Sequence, residues 1–202
     1  GEIKAVWIAC TNPAQSLPDQ AAVREALQAA EYVVLQEAYG NTDTADYADL
    51  LLPASGWGEK HGTVTNSERC ITRVLPAVQA PGEARHDWEI VVDFARRLGR
   101  ALDHAGADKL FPYGDAESIF NEHRESTRGR DLDITGLSYA LLESEGPQQW
   151  PYPEGASSGK VRLYEDGRFP TPDGWARFVA IEHLPTADVP AADTPISLLS
   201  GR

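Results

Sequence analysis

ADYADLLLPASGWGEKHGTVTNSER, residues 45–69, decides how the rest of the chain is read. Three leucines at 50–52 form a short apolar run that stops at Pro53. The run opens into a loop crowded with glycines and carrying Lys60, Asn66 and Arg69. Apolar runs that empty into such loops are how open α/β sheets build ligand sites, beyond the carboxyl ends of their strands.

Working outward toward the N-terminus, residues 3–10 are an apolar run with β-branched and aromatic content, short enough for a buried strand. It ends in TNPAQSLPD, a turn-rich loop containing Asn12. Asp19 is placed to cap a helix whose Val23, Ala26, Leu27 and Ala30 share one face. A second apolar run at 32–35 ends in Gln36 and Glu37. AYGNTDT and a short helical stretch then lead to the leucines at 50–52. Strand, helix, strand, helix, strand with short connections predicts a parallel sheet. The fold class expected is α/β, a parallel-sheet dinucleotide-binding-like domain with an irregular α+β extension. Asn12, Gln36, Glu37 and the loop of Lys60 should then lie along one edge of that sheet.

Toward the C-terminus, residues 63–78 alternate weakly and suggest one irregular strand, CITRVLPAV. PGEARHDW reads as a loop, and Asp87 opens a helix with Ile90, Val91, Phe94 and Leu98 as its apolar stripe and Gly99 as its stop. Short helices are expected at 116–125 and 136–143, a hairpin at 160–169 (KVRLYEDGRF), and strands at 175–181 and 196–199. These expectations give three parts: 1–101 as the α/β region, 102–185 as an irregular helical and hairpin extension, and 186–202 as a linker with the first strand of a further domain.

The 202 residues carry a formal net charge of −13, with 42% hydrophobic and 24% charged side chains. Such an acidic balance argues against nucleic acid as a partner and against charge-driven docking on anionic membranes. No run of 18 apolar residues suggests membrane insertion. Cys10 and Cys70 are too few for a disulfide framework and fit a reducing compartment. His61, His86, His104, His123 and His183 have no metal-ligand spacing with one another or with the cysteines. Neither a GxGxxG nor a Walker loop is present. The residues read as a binding edge, with neither a catalytic group nor a metal ligand among them.

The pattern ADxLLPAxxWxEKxGTxTNSER resembles the molybdopterin oxidoreductases of the dimethyl sulfoxide reductase family, and most closely their cytoplasmic assimilatory nitrate reductases. The likeness is strongest over residues 3–100 and returns at GKVRLYEDGRFPTPDGWARF, residues 159–178. It implies a bis-molybdopterin guanine dinucleotide cofactor with molybdenum. It also implies that the family's iron–sulfur cysteines and molybdenum-ligating cysteine lie upstream of this chain. The chain is then expected to be an interior piece, inactive alone, whose partners are the remaining domains and an electron-donor protein or domain.

The resemblance assigns Lys60 to the dinucleotide, Asp87 to guanine, and Asn12, Gln36 and Glu37 to the cofactor-facing edge, with Glu37 where the family more often has Asp. Ser200, Gly201 and Arg202 match the opening of the family's next cofactor-binding segment. Cys70 stands where the family commonly has a second arginine. Glu59 and Glu68 are expected to hold Lys60 and Arg69 in place. Two rival readings are a formate dehydrogenase catalytic subunit of the same superfamily and a non-catalytic α/β interaction module.

Overall fold

The computed structural model describes residues 2–185 and 189–197 and divides into two units, Gly1–Val161 and Arg162–Arg202. The first unit begins with β1 (Ala5–Ala9), a short α1 (Pro13–Ser16), α2 (Gln20–Ala29) and β2 (Tyr32–Glu37). A 3-10 turn over Asp43–Tyr47 then leads to β3 (Leu50–Pro53). The strands pair in parallel in the order β1–β2–β3. Asp19 caps α2 as expected, its carboxylate accepting from the Ala22 N–H.

Alternation along the strands divides the core between the two faces of the sheet. Ile8, Val33 and Leu35 pack on one face with Ala14 and Leu27 of the helices, and the Asp43–Tyr47 turn adds Ala45 and Tyr47. Trp7 points to the other face and meets Phe94 edge-on, ring centroids 4.7 Å apart. Phe94 belongs to α3 (Asp87–Ala101), so helices lie on both faces of the sheet, as parallel sheets require.

A second sheet follows the motif stretch. Thr63–Val78 is a hairpin instead of one irregular strand: β4 (Gly62–Thr65) pairs antiparallel with β5 (Cys70–Val74). The turn is NSER, in which Asn66 Oδ1 accepts from the Glu68 and Cys70 N–H groups and closes the loop. The remaining helices are α4 (Ala107–Leu110), α5 (Ala116–Ser126) and α6 (Tyr139–Ser144), and β6 (Gln148–Gln149) adds to β5. Ile71, Phe120, Ile134, Leu137, Tyr139, Leu142 and Tyr152 form this region's own core.

Several helix ends differ from the sequence reading. α3 runs through Gly99 and ends past Ala101, with Asp103 at a left-handed φ of 51° making the exit. α6 starts at Tyr139, capped by Ser138, because Gly136 is used elsewhere. Its N–H donates to the Tyr152 carbonyl, and a Cβ there would sit 2.6 Å from the Pro153 carbonyl oxygen.

In the second unit, no strand forms at 160–169 or 175–181 among the described residues. Tyr164 takes a left-handed φ of 54°, and a tight turn closed by the Gly167 N–H on the Tyr164 carbonyl takes the place of the hairpin. Phe178 and Ile181 are almost fully exposed, and a lone apolar run with no partner strand leaves its backbone bonds unmade. The strand expected at 196–199, and Ser200, Gly201 and Arg202 with it, fall wholly or partly outside the described residues.

Candidate functional site at the strand ends

The register of the parallel sheet brings its carboxyl ends level. Ala9 pairs with Gln36, and Glu37 with Pro53, so the exits of β1, β2 and β3 share one edge. Beyond β3 the chain gains one more parallel neighbour. Ala54 bridges to Arg85: Ser55 N–H donates to the Arg85 carbonyl at 2.8 Å, and Arg85 N–H to the Pro53 carbonyl at 3.1 Å. This bridge brings the start of α3 to the strand ends. The buried Ser55 hydroxyl, 3.1 Å from His86 Nδ1, fixes the same junction.

Asp87 is thereby placed at the centre of the edge. Gln36 Nε2 donates to its Oδ1 at 2.8 Å, and Lys60 Nζ lies 2.9 Å from its Oδ2. The Cys10 thiol, just past β1, lies 3.6 Å from Oδ1. Desolvation works to raise the Asp87 pKa, but the bonds from Lys60 and Gln36 outweigh it and hold the carboxyl below its ordinary range. His86, not Asp87, is the cap of α3. Asp87 is the first residue of α3, and the return bond to the His86 N–H comes from Glu89.

Gln36 carries the most pointed feature of the edge. Its side chain is 2% exposed, yet Oε1 has no hydrogen-bond partner. The amide's orientation is fixed by Asp87, since turning it over would set an oxygen against a carboxylate. A buried acceptor without a donor is costly, and it is the feature a bound donor would satisfy.

Asn12 and Glu37 are on the edge but face other work. Asn12 Oδ1 accepts from the Thr44 N–H at 3.1 Å and from the Thr44 hydroxyl at 2.6 Å, tying the first loop to the Asp43–Tyr47 turn. Glu37 folds onto the N–H groups of Ala38 and Tyr39. The expected partners of Lys60 and Arg69 are corrected. Glu59 accepts from the Gly56 N–H, while Lys60 pairs with Asp87 and lies 5.4 Å from the centroid of the Trp57 ring. Arg69 donates to the carbonyls of Trp150, Lys160 and Val161, so main-chain oxygens hold it in place of Glu68.

Cys10 and Arg85 are the residues that sequence reasoning missed. Cys10 ends the first apolar run directly before TNP, a position that marks a strand exit. Nothing in the sequence marks Arg85 as a bridge partner.

Residues 1–97 match the family model of the molybdopterin oxidoreductases. The chain is 39% identical to a nitrate reductase of Synechocystis over 206 aligned residues, and also 39% identical to the assimilatory nitrate reductase catalytic subunit of Bacillus subtilis. Both alignments take in 100% of this chain and 28% of the relative, so the chain spans little more than a quarter of these proteins. It is 37% identical to the F420-dependent formate dehydrogenase subunit alpha of Methanocaldococcus jannaschii, over 99% of this chain and 28% of that protein. Among solved structures, acetylene hydratase from Pelobacter acetylenicus shares the fold with a TM-score of 0.60. That match has 22% identity and covers 85% of this chain and 21% of that one.

Proposed function

We propose, on the premise that residues 1–97 belong to the molybdopterin oxidoreductase family, that this chain is the cofactor-holding part of a molybdenum-dependent nitrate reductase. The observation that carries the reading is the meeting of Gln36, Lys60 and Asp87 at the sheet's carboxyl edge, with a buried acceptor unsatisfied.

The donor set fits one arm of a molybdopterin guanine dinucleotide. Such a ligand brings an anionic pyrophosphate, ribose hydroxyls and a base edge with N–H donors. Lys60 offers the cation, Asp87 and Glu37 offer carboxylate oxygens, and Gln36 Oε1 offers a neutral acceptor. Asn12 would shape the first strand exit, and Ser200, Gly201 and Arg202 would open a further cofactor contact. When bound, the molybdenum–dithiolene group supplies two-electron oxygen-atom transfer between nitrate and nitrite. The residues of this chain bind and orient it.

The three-part plan 1–101, 102–185 and 186–202 belongs to this proposal. So do an iron–sulfur cluster in a longer polypeptide, an electron-donor partner and a cytoplasmic setting. Among the described residues no helix is long and apolar enough to cross a membrane.

The test is Lys60→Ala in the full-length enzyme. A bond to a charged group contributes about 1.5–3 kcal/mol, and about 1.4 kcal/mol is tenfold in affinity. Molybdenum and guanine nucleotide content per polypeptide should therefore reflect about ten- to hundredfold weaker retention. Full occupancy with unchanged activity would remove Lys60 from the cofactor site. The 202 residues alone should not reduce nitrate. The similarity to a formate dehydrogenase subunit favours a second reading. Assay of the full-length enzyme with nitrate and with formate separates the two.

A further inference from the structure

Two groups at the strand-end edge are unexplained by the charge pair. One is Gln36 Oε1, fully buried without a donor. The other is the Cys10 thiol. Cys10 is exposed, sits at a left-handed φ of 58°, and its N–H extends the β1–β2 ladder by donating to the Gln36 carbonyl at 3.2 Å. The same peptide geometry that binds its backbone to Gln36 turns its sulfur toward Asp87 Oδ1, the oxygen that Gln36 Nε2 also uses.

Resting on the reading of this edge as a ligand site, we propose that Cys10 is a positioning residue. Its thiol donates to Asp87 Oδ1 and orients the carboxylate. Capping that thiol with a soft electrophile closes the site to a ligand that donates a hydrogen bond to Gln36 Oε1.

The arrangement is asymmetric in a useful way. Oδ2 of Asp87 is held by a cation and Oδ1 by two neutral donors. Take the thiol hydrogen away and Oδ1 rests on Gln36 alone, and a bulky cap on sulfur crowds the carboxylate that both donors share. Burial pushes the Cys10 thiol pKa up, and the neighbouring Asp87 charge pushes it further while Lys60 opposes both. The group therefore stays a protonated donor and reacts slowly with electrophiles, since the thiolate is the nucleophile. Alkylation by iodoacetamide forms an S–C bond and breaks the C–I bond. Iodide leaves, the thiol proton goes to solvent, and no redox partner is needed.

The first arm of the test needs no ligand. Iodoacetamide labelling of the 202-residue chain at about pH 8 is followed at Cys10 by mass spectrometry, which separates it from Cys70. Asp87→Asn removes the negative charge and leaves only a weaker, neutral acceptor, so the Cys10 pKa should fall and its rate rise about three- to tenfold. A thiol pKa lower by about one gives roughly ten times the thiolate at fixed pH. Lys60→Ala removes the opposing cation, and the rate should fall. Opposite signs are the signature of direct coupling, which a general loosening of the loop would not produce. Equal rates in all three proteins would overturn the positioning role.

The second arm measures guanosine 5′-diphosphate binding by calorimetry. The carbamidomethylated chain should bind at least tenfold more weakly, Cys10→Ser close to the unmodified chain, and Cys10→Ala about threefold more weakly. Undiminished binding after capping would overturn the closure. Failure of the unmodified chain to bind guanosine 5′-diphosphate would overturn the nucleotide reading of the edge and the closure with it. The labelling rates would still decide the role of Cys10.

Discussion

Lys60 and Arg69 stand in one phrase of sequence, both basic and both in glycine- and asparagine-rich surroundings, yet their neighbourhoods have opposite characters. Arg69 spends its guanidinium on the carbonyls of Trp150, Lys160 and Val161, strapping the segment after β6 across the hairpin turn. Asp133 and Thr135 behind it are likewise committed to main-chain groups or to one another. Around Lys60 side chains meet side chains, at partial exposure, and one buried acceptor goes without a donor. Fixed main-chain partners make a scaffold, whereas side chains that satisfy one another and leave one acceptor over make a site.

The contrast breaks most easily at Arg69. Arg69→Ala should destabilise the chain by about 2–4 kcal/mol, because it deletes several charge-assisted bonds to carbonyls. Urea denaturation would read this as a lower midpoint with an unchanged slope. Gly159→Ala should cost a similar amount at the other end of the strap, where a Cβ would lie 1.7 Å from the Gln149 carbonyl oxygen. If Arg69→Ala leaves the midpoint where it was, the hairpin region is not a scaffold.

Asn12 tests whether an edge residue can belong to the scaffold. Its carbonyl oxygen holds Thr44, which is fully buried and whose hydroxyl also accepts from the Ala14 N–H. Thr44→Val keeps the shape and the main-chain N–H to Asn12 Oδ1, but removes the hydroxyl bond to Asn12 and strands the Ala14 N–H, and should cost about 1–3 kcal/mol. A loss near zero would return Asn12 to the open, ligand-facing class.

The two neighbourhoods also differ in how far the sequence announces them. The parallel half is legible because local pattern and tertiary role agree: apolar runs of the right length, Asp19 as cap, turn residues at each strand exit. Gln36 is legible as a strand exit, and Lys60 and Asp87 are legible as ligand contacts through resemblance. Their mutual contact is not, because it depends on the Ala54–Arg85 bridge, a long-range pairing with no local signature. The hairpin escapes the sequence reading because GTVT is too short to show its alternation, and NSER carries the look of an open loop while acting as a turn. Proximity in sequence points Arg69 to Glu68. The carbonyls that actually hold it lie far along the chain, at a place no periodicity marks.

Acid titration distinguishes the regions by a smaller effect. Burial works to raise the Asp133 pKa, but bonds from the Thr135 hydroxyl and N–H and the Gly129 N–H outweigh it and leave it below the ordinary range. A depressed folded-state pKa contributes stability above the unfolded value, about 3.9. That stability is lost as pH falls through the lower folded value. Asp133→Asn should therefore flatten the stability loss as pH falls below the ordinary carboxylate range. An unchanged acid limb would show that Asp133 is not one of the groups that set it.

The smallest expected effect on folding is the one that most sharpens the contrast. Lys60 and Asp87 have side chains 25% and 29% exposed, so their pair is worth no more than about 1 kcal/mol to stability. Lys60→Ala should shift the denaturation midpoint by that much at most, far less than Arg69→Ala. Its effect should appear in the titration of Asp87. With the cation gone, desolvation acts against Gln36 and Cys10 alone, and the carboxyl pKa should rise from its depressed position. Stability carried by that depression is present above the unfolded value and lost as pH falls through the folded value, so the variant should lose it at higher pH than the parent. Carboxyl carbon shifts of Asp87, followed by NMR across the acid range, would measure the change directly. A midpoint loss as large as that of Arg69→Ala, with the Asp87 titration unmoved, would make Lys60 a strap like Arg69 and the difference between the two neighbourhoods would disappear.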